Sequence, residues 1–250
     1  TMASLVVASA GVPVCKHGAR GSSSQCGTAD VLEALGVAIE LSPEGVRECV
    51  EEVGFGFCFA PRYHPAFRYA GPSRKEIGIP TVFNLLGPMA NPARVRRQLI
   101  GTADPSMAER MLASLRLHGS VRAWVVHGSG LDELTTTGTS TVLALENDSV
   151  RTFMVDPVQL GLAPAVPQEL VGGLPPHNAD VVRRVVGGQH GAHRNIVLLN
   201  AAAGLVVAGR CDDLEQGLVL AAAAIDDGRT AQLLDRLVEV SNRAAETHGR

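Results

Sequence analysis

The sequence predicts an α/β fold with a central, mainly parallel sheet flanked by helices and a helical C-terminal portion. Short apolar runs alternate with segments of helical period as far as residue 127, as in sheets whose parallel strands are connected by helices. Polar loops follow three of these runs, at the place where parallel sheets position their binding sites. After residue 178 the pattern is helical throughout.

The bulk composition is that of a folded globular protein. The chain has 250 residues, of which 46% are hydrophobic and 19% charged. We interpret residues 1–250 as a single α/β domain, and the helix that opens at Thr1 as part of a longer, N-terminally truncated protein. A net charge of −3 argues against nucleic-acid binding, and no apolar run is long enough to cross a membrane. The five cysteines include no C-x-x-C pair, which predicts reduced thiols and a cytoplasmic location.

The first part of the chain alternates predicted helices and strands. Helices are predicted at 2–10, 28–36 and 42–54, strands at 12–15 and 55–59, and a short helix with a turn at 81–92. The helix at 42–54 has the clearest pattern. Ser42 and Pro43 are typical of a helix start, Val46, Cys49 and Val50 share one face, and a glycine ends the segment.

The second part adds strands at 98–102 and 121–127 around a helix at 104–119. Asn147-Asp148 separates two apolar runs and predicts a hairpin of strands 141–145 and 150–155. Helices follow at 179–186, 194–208, 214–225 and 231–245. Asp212 and Glu215 predict a capping box at the start of the third of these.

A polar loop at Lys16–Ser24, with the sequence K-H-G-A-R-G-S-S-S, carries the first candidate site. Backbone N–H groups, hydroxyls and two cations suit phosphate oxygens. The loop lies between a predicted strand and a predicted helix, where α/β proteins commonly hold phosphate. A solvated surface loop is the alternative, and the loop alone does not exclude it.

Asp132 and Glu133 form the second candidate site, directly after the predicted buried strand at 121–127. Paired carboxylates are hard oxygen ligands, and Mg²⁺ suits them when substrate phosphates complete its coordination. Adjacent residues of an extended chain point to opposite sides, so the pair serves two metals, or one metal and its water shell, more easily than a single chelate. The alternative is a solvated acidic turn.

His64 and Arg74 follow the strand at 55–59 and offer a third candidate site. An arginine beside a cleft can hold a carboxylate or a phosphate with two hydrogen bonds, although a surface arginine is the alternative. The six histidines outside these loops have no spacing typical of metal ligands. The sequence contains no G-x-S-x-G, Walker or H-E-x-x-H motif.

Six motifs, in order along the chain, resemble anthranilate phosphoribosyltransferase. They are K-H-G-x-R-x-x-S-S (16–24), A-D-V-L-E-A-L-G (29–36), F-A-P-R-Y-H-P-A (59–66), R-K-E-I-G-I-P-T-V-F-N-L-L-G-P-x-x-N-P (74–92), G-L-D-E (130–133) and L-N-A-A-A (199–203). The resemblance extends from Thr1 to about Arg229. The family transfers phosphoribosyl from phosphoribosyl pyrophosphate (PRPP) to the amine of anthranilate in tryptophan biosynthesis, and releases pyrophosphate.

The resemblance implies a role for each candidate residue, Mg²⁺ as cofactor and a homodimer of the complete enzyme. The implied PRPP-binding residues are Thr1, Lys16, His17, Gly18, Arg20, Ser22, Ser23 and Ser24. The implied anthranilate-binding residues are Ala19, Ala60, Pro61, His64, Phe67 and Arg74, and the implied Mg²⁺ ligands are Asp132 and Glu133. It assigns no catalytic acid or base.

The sequence departs from the family pattern in two ways. Ala19 replaces an asparagine that contacts anthranilate, which leaves open a related enzyme with another aromatic acceptor. The family's G-T-G-G-D pyrophosphate loop and its N-terminal helical domain would precede residue 1, and we expect a chain that starts at Thr1 to be inactive alone. A non-catalytic PRPP-binding remnant is a further alternative. A pyrimidine nucleoside phosphorylase, with its K-H-S-type loop, is less well supported.

Overall fold

A computed structural model describes residues 1–21, 25–70, 73, 76–79, 81 and 83–249, with only the backbone at 83 and 84. The chain divides into two compact units. The first unit comprises Thr1–Val12, Val95–Gly172 and Asp180–Leu233, and the second comprises Pro13–Arg94, Gly173–Ala179 and Leu234–Arg250. One α/β domain over residues 1–250 therefore stays a prediction.

The elements alternate in the order that the α/β prediction requires. The strands are β1 (Val14–Gly18), β2 (Phe55–Phe59), β3 (Arg97–Gly101), β4 (Arg122–Gly128), β5 (Ser140–Glu146) and β6 (Ser149–Val155). The α-helices are α1 (Met2–Ser9), α2 (Thr28–Ala34), α3 (Pro43–Val53), α4 (Ala60–Tyr63), α5 (Phe83–Met89), α6 (Ala108–Leu117), α7 (Pro175–Val186), α8 (Ala192–Ala208), α9 (Leu214–Asp226) and α10 (Arg229–His248). Short 3₁₀ helices occupy Pro65–Tyr69, Pro105–Met107 and Pro167–Leu170. No helix among the described residues is long and apolar enough to span a membrane.

The first unit contains a four-stranded sheet in the order β3-β4-β5-β6. β3 and β4 are parallel, whereas β4–β5 and β5–β6 are antiparallel. The predicted hairpin is confirmed: Asn147 and Asp148 both have positive φ, of 46° and 67°, which these two residue types tolerate well. Parallel pairing is thus limited in this sheet to the β3–β4 pair.

Helix α8 is the most buried helix of the first unit and packs against α1, α9 and β3. At its C-terminal end, Arg97 Nη1 donates to the carbonyl oxygen of Val207 at 3.0 Å, and Arg122 Nη1 donates to that of Val206 at 2.6 Å. Both arginines begin strands, so α8 runs antiparallel to β3 and β4. Its N-terminal half therefore extends toward the carboxyl ends of these strands.

The second unit contains the parallel pair β1–β2, in which Lys16 is opposite Phe57 and His17 is opposite Cys58. Strand β2 is buried along its whole length and packs against α3. The Ser42 hydroxyl caps α3 by accepting from the Gly45 N–H at 3.2 Å, as predicted, and Gly54 ends the helix in the left-handed conformation.

Three local predictions were wrong. The first strand runs from Val14 to Gly18 rather than over 12–15, because pairing with β2 continues past Cys15. The polar loop expected after β2 is instead helix α4 followed by a 3₁₀ helix. The N-cap of α9 is Asp213, which accepts from the Gln216 N–H at 2.8 Å, rather than Asp212.

We predict that Ser42→Ala lowers the free energy of unfolding by about 1 kcal/mol, because the Gly45 N–H then loses its acceptor at a buried helix start. Thermal and urea unfolding of the intact protein measure the change. Ser149→Ala is the control, since Ser149 is exposed at the start of β6. Equal melting temperatures for the two variants would contradict the capping role.

Candidate functional site

Asp132 and Glu133 directly follow a tight turn at the carboxyl end of β4, and both are exposed. Residues 128–133 are called the acidic turn below. Gly128 and Leu131 close the turn with two backbone hydrogen bonds of 2.9 and 3.0 Å. The predicted position at a strand end is therefore confirmed in the first unit. The turn presents two carboxylates to solvent while its backbone is anchored in the sheet.

His127 forms hydrogen bonds that hold this turn, although the sequence suggested no role for it. Its Nδ1 lies 2.9 Å from the carbonyl oxygen of Thr102, and its Nε2 accepts from the Gly130 N–H at 3.4 Å. Since a carbonyl only accepts, Nδ1 carries the proton and Nε2 is the acceptor. The imidazole thus links the end of β3 to the turn that carries the acidic pair.

Gly101 brings the end of β3 directly against the acidic turn. A Cβ at this position would overlap the carbonyl carbon and oxygen of Asp132. The contact is with backbone, so no side-chain rotation could relieve it. Only glycine therefore allows the Asp132 peptide to lie this close to β3. The sequence contained no sign of this requirement, because the two residues are distant along the chain.

The residues of the K-H-G motif belong to strand β1 in the second unit. The Asn91 side chain donates to the Cys15 carbonyl oxygen at 2.9 Å and accepts from the Ala93 N–H at 2.9 Å. The N-P end of the long 74–92 motif thus holds the strand that carries Lys16 and His17. Phe57 and Thr28 pack closely against Gly18. A Cβ added at this position would lie only 3.1 Å from Phe57 and 3.3 Å from Thr28.

His17, His64 and Phe67 form an aromatic cluster in the second unit. The His17 and His64 rings meet edge to face at 4.9 Å between centroids, and His64 stacks on Phe67 at 5.2 Å. His64 Nε2 lies 2.8 Å from the Ala90 carbonyl oxygen. Since β1 and β2 are parallel neighbours, these predicted residues come together although they are far apart in sequence. Ala60 and Pro61 begin α4, the helix that precedes His64.

Burial lowers the pKa of His17 from 6.5 to about 4. The charges of His64 and Lys16 act in the same direction, whereas a hydrogen bond to the Gly87 backbone opposes the shift. The Nε2 atom of His17 is buried and makes no hydrogen bond within the described part of the chain. His17 is therefore a neutral imidazole at physiological pH.

Arg20 is paired with carboxylates of the helix that follows it. Its guanidinium donates to both oxygens of Glu33, at 2.6 and 3.0 Å, and contacts Asp30 at 3.4 Å. These carboxylates raise the pKa of Arg20, and the arginine lowers the pKa of Glu33. Any anion that binds Arg20 must therefore compete with Glu33.

Asp30 also closes the base of the loop between β1 and α2. One of its oxygens accepts from the N–H groups of Gly21 and Gly27, both at 2.8 Å. These bonds lower the pKa of Asp30. Ala19, the first residue of this loop, is exposed, and its carbonyl oxygen accepts from the Ala29 N–H at 3.2 Å. The predicted residues Ser22, Ser23, Ser24 and Arg74 lie outside the described residues.

Thr1 is the N-cap residue of α1, and its carbonyl oxygen accepts from the Leu5 N–H at 3.2 Å and from the Ser4 hydroxyl at 2.7 Å. Thr1, Asp132 and Glu133 belong to the first unit, and the other described site residues belong to the second. Each unit therefore carries its own part of the predicted residue set.

Among the described residues, no three His, Cys, Asp or Glu side chains are grouped to hold a metal ion. Asp132 and Glu133 are two exposed hard oxygen donors, and they fit a cation such as Mg²⁺ that keeps several water or phosphate ligands. A cavity of about 270 Å³ in the first unit is lined by other residues, including Arg184, His190 and Arg194. The strand ends, rather than this cavity, carry the candidate site.

Comparison with known proteins decides the family. The family described as "Glycosyl transferase family, a/b domain" matches residues 1–231. Anthranilate phosphoribosyltransferase of Mesorhizobium japonicum is 49% identical over 242 residues, which cover 97% of this chain and 72% of that protein. That of Methylocella silvestris is 50% identical over 246 residues, covering 98% and 70%. The chain belongs to the anthranilate phosphoribosyltransferase family.

Solved structures of the family have the same fold. The crystal structure of the Thermus thermophilus enzyme has a TM-score of 0.91 and 41% identity, and the match covers 96% of this chain and 72% of that one. The Saccharomyces cerevisiae enzyme in complex with PRPP and Mg has a TM-score of 0.86 and 26% identity, covering 97% and 69%. The recognition of the family and the α/β fold class are thereby confirmed.

We predict that His17 makes stability fall as the pH is lowered from about 6.5 to about 4. The unfolded chain protonates His17 near pH 6.5, whereas the folded chain resists protonation until about pH 4. In this window the unfolded state binds more protons, so acid favours unfolding. Urea unfolding at pH 7 and pH 5 measures the effect, and NMR titration of the imidazole gives the pKa directly.

His17→Gln should lose part of this pH dependence, whereas the control His118→Gln, at an exposed histidine, should keep it. A His17 resonance that titrates near pH 6.5 would show that burial does not control this group.

Proposed function

We propose that this protein transfers phosphoribosyl from PRPP to the amine of anthranilate, and releases pyrophosphate, in tryptophan biosynthesis. The observation that carries the proposal is 49% identity to an anthranilate phosphoribosyltransferase over 97% of the chain. The acidic turn and the aromatic cluster that follow from the fold suit the two substrates of that reaction.

We assign PRPP binding to Thr1, Lys16, His17, Gly18, Arg20, Ser22, Ser23 and Ser24. Lys16 and Arg20 supply positive charge for the phosphates, and Gly18 lets β1 pack closely against Phe57 and Thr28. Because Glu33 already holds Arg20, the arginine reaches a phosphate only by exchanging partners. The yeast family member was solved with PRPP and Mg, which supports this donor.

We assign Mg²⁺ binding to Asp132 and Glu133. When it is bound, the metal neutralises negative charge on the departing pyrophosphate. The protein's part is to hold the two carboxylates in place before the substrate arrives, which the anchored turn does. Their exposure leaves coordination positions for water and phosphate oxygens.

We assign anthranilate binding to Ala19, Ala60, Pro61, His64, Phe67 and Arg74. His64 and Phe67 provide a stacked aromatic surface for a flat ring, and Arg74 is suited to a carboxylate. The amine nitrogen forms a bond to the anomeric carbon while the bond from that carbon to pyrophosphate breaks, and the nitrogen then releases a proton. Such a reaction depends strongly on positioning, which these side chains supply.

We further propose a cytoplasmic homodimer that binds neither nucleic acid nor membranes. The thiols support a reducing compartment, since all five cysteines are free. The net charge of −3 supports the absence of a nucleic-acid site. The homodimer rests on the family resemblance.

An enzyme with a different aromatic acceptor is a second candidate, and Ala19 is the observation that favours it. The family resemblance places an anthranilate-binding asparagine at this position, and alanine offers no polar group there. A panel of aromatic amines and acids, assayed with labelled PRPP and the intact protein, separates the candidates. Product from another acceptor but not from anthranilate would select the second one.

We predict that Asp132→Ala combined with Glu133→Ala lowers kcat/KM by at least about 100-fold, because the metal loses its protein ligands. The Mg²⁺ concentration for half-maximal rate should rise in parallel. The melting temperature should change little, since both side chains are exposed. Steady-state kinetics across a Mg²⁺ series, with circular dichroism of the same samples, provide the measurement.

Glu109→Ala combined with Asp180→Ala is the matched control, because it removes two exposed carboxylates of the same unit outside the turn. It should retain normal kinetics. An acidic-turn double variant with unchanged Mg²⁺ dependence would remove the metal assignment.

We predict that Ala19→Asn tightens anthranilate binding about three- to tenfold, because one neutral hydrogen bond contributes about 0.5–1.5 kcal/mol. The KM for anthranilate should fall while the KM for PRPP stays constant. Ala19→Leu serves as control, since it adds similar volume without an amide. If both variants keep the native KM for anthranilate, position 19 does not contact the acceptor.

A further inference from the structure

Asn200 is a buried polar residue in α8, a helix whose other side chains are mostly apolar and buried. It lies in α8 among Leu199 and Ala201, which are fully buried, and is itself only 6% exposed. A polar side chain in such a place destabilises the fold unless its amide is fully hydrogen-bonded. Its partners therefore show what the residue is for.

The Asn200 amide holds both backbone groups of Leu134. Its Oδ1 accepts from the Leu134 N–H at 3.0 Å, and its Nδ2 donates to the Leu134 carbonyl oxygen at 2.8 Å. The second Nδ2 hydrogen goes to the Ile196 carbonyl oxygen at 2.9 Å within α8. The side chain thus copies the pairing of a neighbouring strand, and Leu134 directly follows Glu133.

Helix α8 gives Asn200 a fixed position relative to the sheet. Arg97 and Arg122, at the starts of β3 and β4, bind the last carbonyl oxygens of the helix, and α8 packs along β3. The position of Asn200 is thereby fixed relative to β3 and β4, whose carboxyl ends lie beside the acidic turn. A shift of the turn relative to the sheet would have to break the Leu134 pairing.

The acidic turn is held from the other side as well. Gly101 packs against the Asp132 carbonyl group, and His127 joins the Gly130 N–H to Thr102. Beyond Leu134, the Thr135 N–H donates to the Ser140 hydroxyl at 3.0 Å. The backbone from 130 to 135 is therefore anchored at both ends, while the two carboxylates stay exposed.

We infer that Asn200 is a positioning residue for the acidic pair: by holding the Leu134 peptide it sets where Asp132 and Glu133 present their carboxylates. The inference rests on the proposed metal role of that pair. Residues that orient metal ligands typically change metal affinity 10- to 100-fold when they are replaced. The alternative is that Asn200 only satisfies the buried backbone groups of Leu134 and does not affect metal binding. The following experiments distinguish these two roles.

The test compares Asn200→Leu, Asn200→Asp and native protein. Leucine has a similar size but leaves both Leu134 groups unpaired, and aspartate keeps the acceptor but loses both donors. In metal-free protein, hydrogen exchange of the Leu134 amide should accelerate by at least about tenfold in Asn200→Leu. With PRPP present, Mn²⁺ affinity measured by electron paramagnetic resonance should fall about 10- to 100-fold in both variants.

Asn178→Leu is a matched control. The Asn178 side chain holds the N–H and carbonyl oxygen of Gly173 at 2.8 and 2.9 Å, the same two-bond contact within the second unit. It should lower the melting temperature without changing Mn²⁺ affinity or Leu134 exchange. If Asn200→Leu behaves like this control, Asn200 is only structural and the inference is overturned.

Gly101→Ala tests the same idea from the opposite side, should the Asn200 variants fail to fold. It should weaken Mn²⁺ binding, because the added Cβ displaces the Asp132 backbone. A native Mn²⁺ affinity in this variant would overturn the inference.

The proposed function fails separately: if the Asp132/Glu133 double variant keeps its Mg²⁺ dependence, the metal assignment is wrong. Leu134 exchange still decides whether Asn200 holds the turn.

Discussion

The packing of helix α8 against the β3 strand is the constraint on which the first unit depends. The helix is apolar on nearly every side, so it must lie between the sheet and other helices. The arginines that begin β3 and β4 bind its C-terminal carbonyl groups, and this fixes its direction. Its one buried amide then lies at the carboxyl ends of these strands, beside the exposed acidic pair.

In the second unit the decisive constraint is the parallel pairing of β1 and β2. Parallel neighbours end at the same edge, so the histidine at the end of one strand meets the histidine that follows the other. Desolvation by the surrounding ring and backbone atoms keeps His17 neutral. The pairing of β1 with β2 thus buries His17, a candidate binding residue, and keeps its imidazole uncharged.

Local chemistry explains which predictions from sequence are confirmed. The Ser42 cap and the Asn147-Asp148 turn depend on neighbours within a few residues, and both are as expected. The N-cap of α9 was misplaced by one residue, because Asp212 and Asp213 are equivalent in sequence and only the helix geometry separates them. The extent of β1 was misjudged because Lys16 and His17 are polar, whereas their pairing with β2 is a property of the backbone.

The sequence by itself determined the family, the α/β class and the position of the acidic pair after a buried strand. These follow from residue order and from motifs carried in short stretches. Tertiary structure alone revealed that Gly101 must lack a Cβ, that His127 bridges Thr102 and Gly130, and that Asn200 holds Leu134. These residues act through backbone groups that are remote in sequence. A backbone N–H or carbonyl group is the same at every position, so no residue pattern indicates which one a distant side chain will bind.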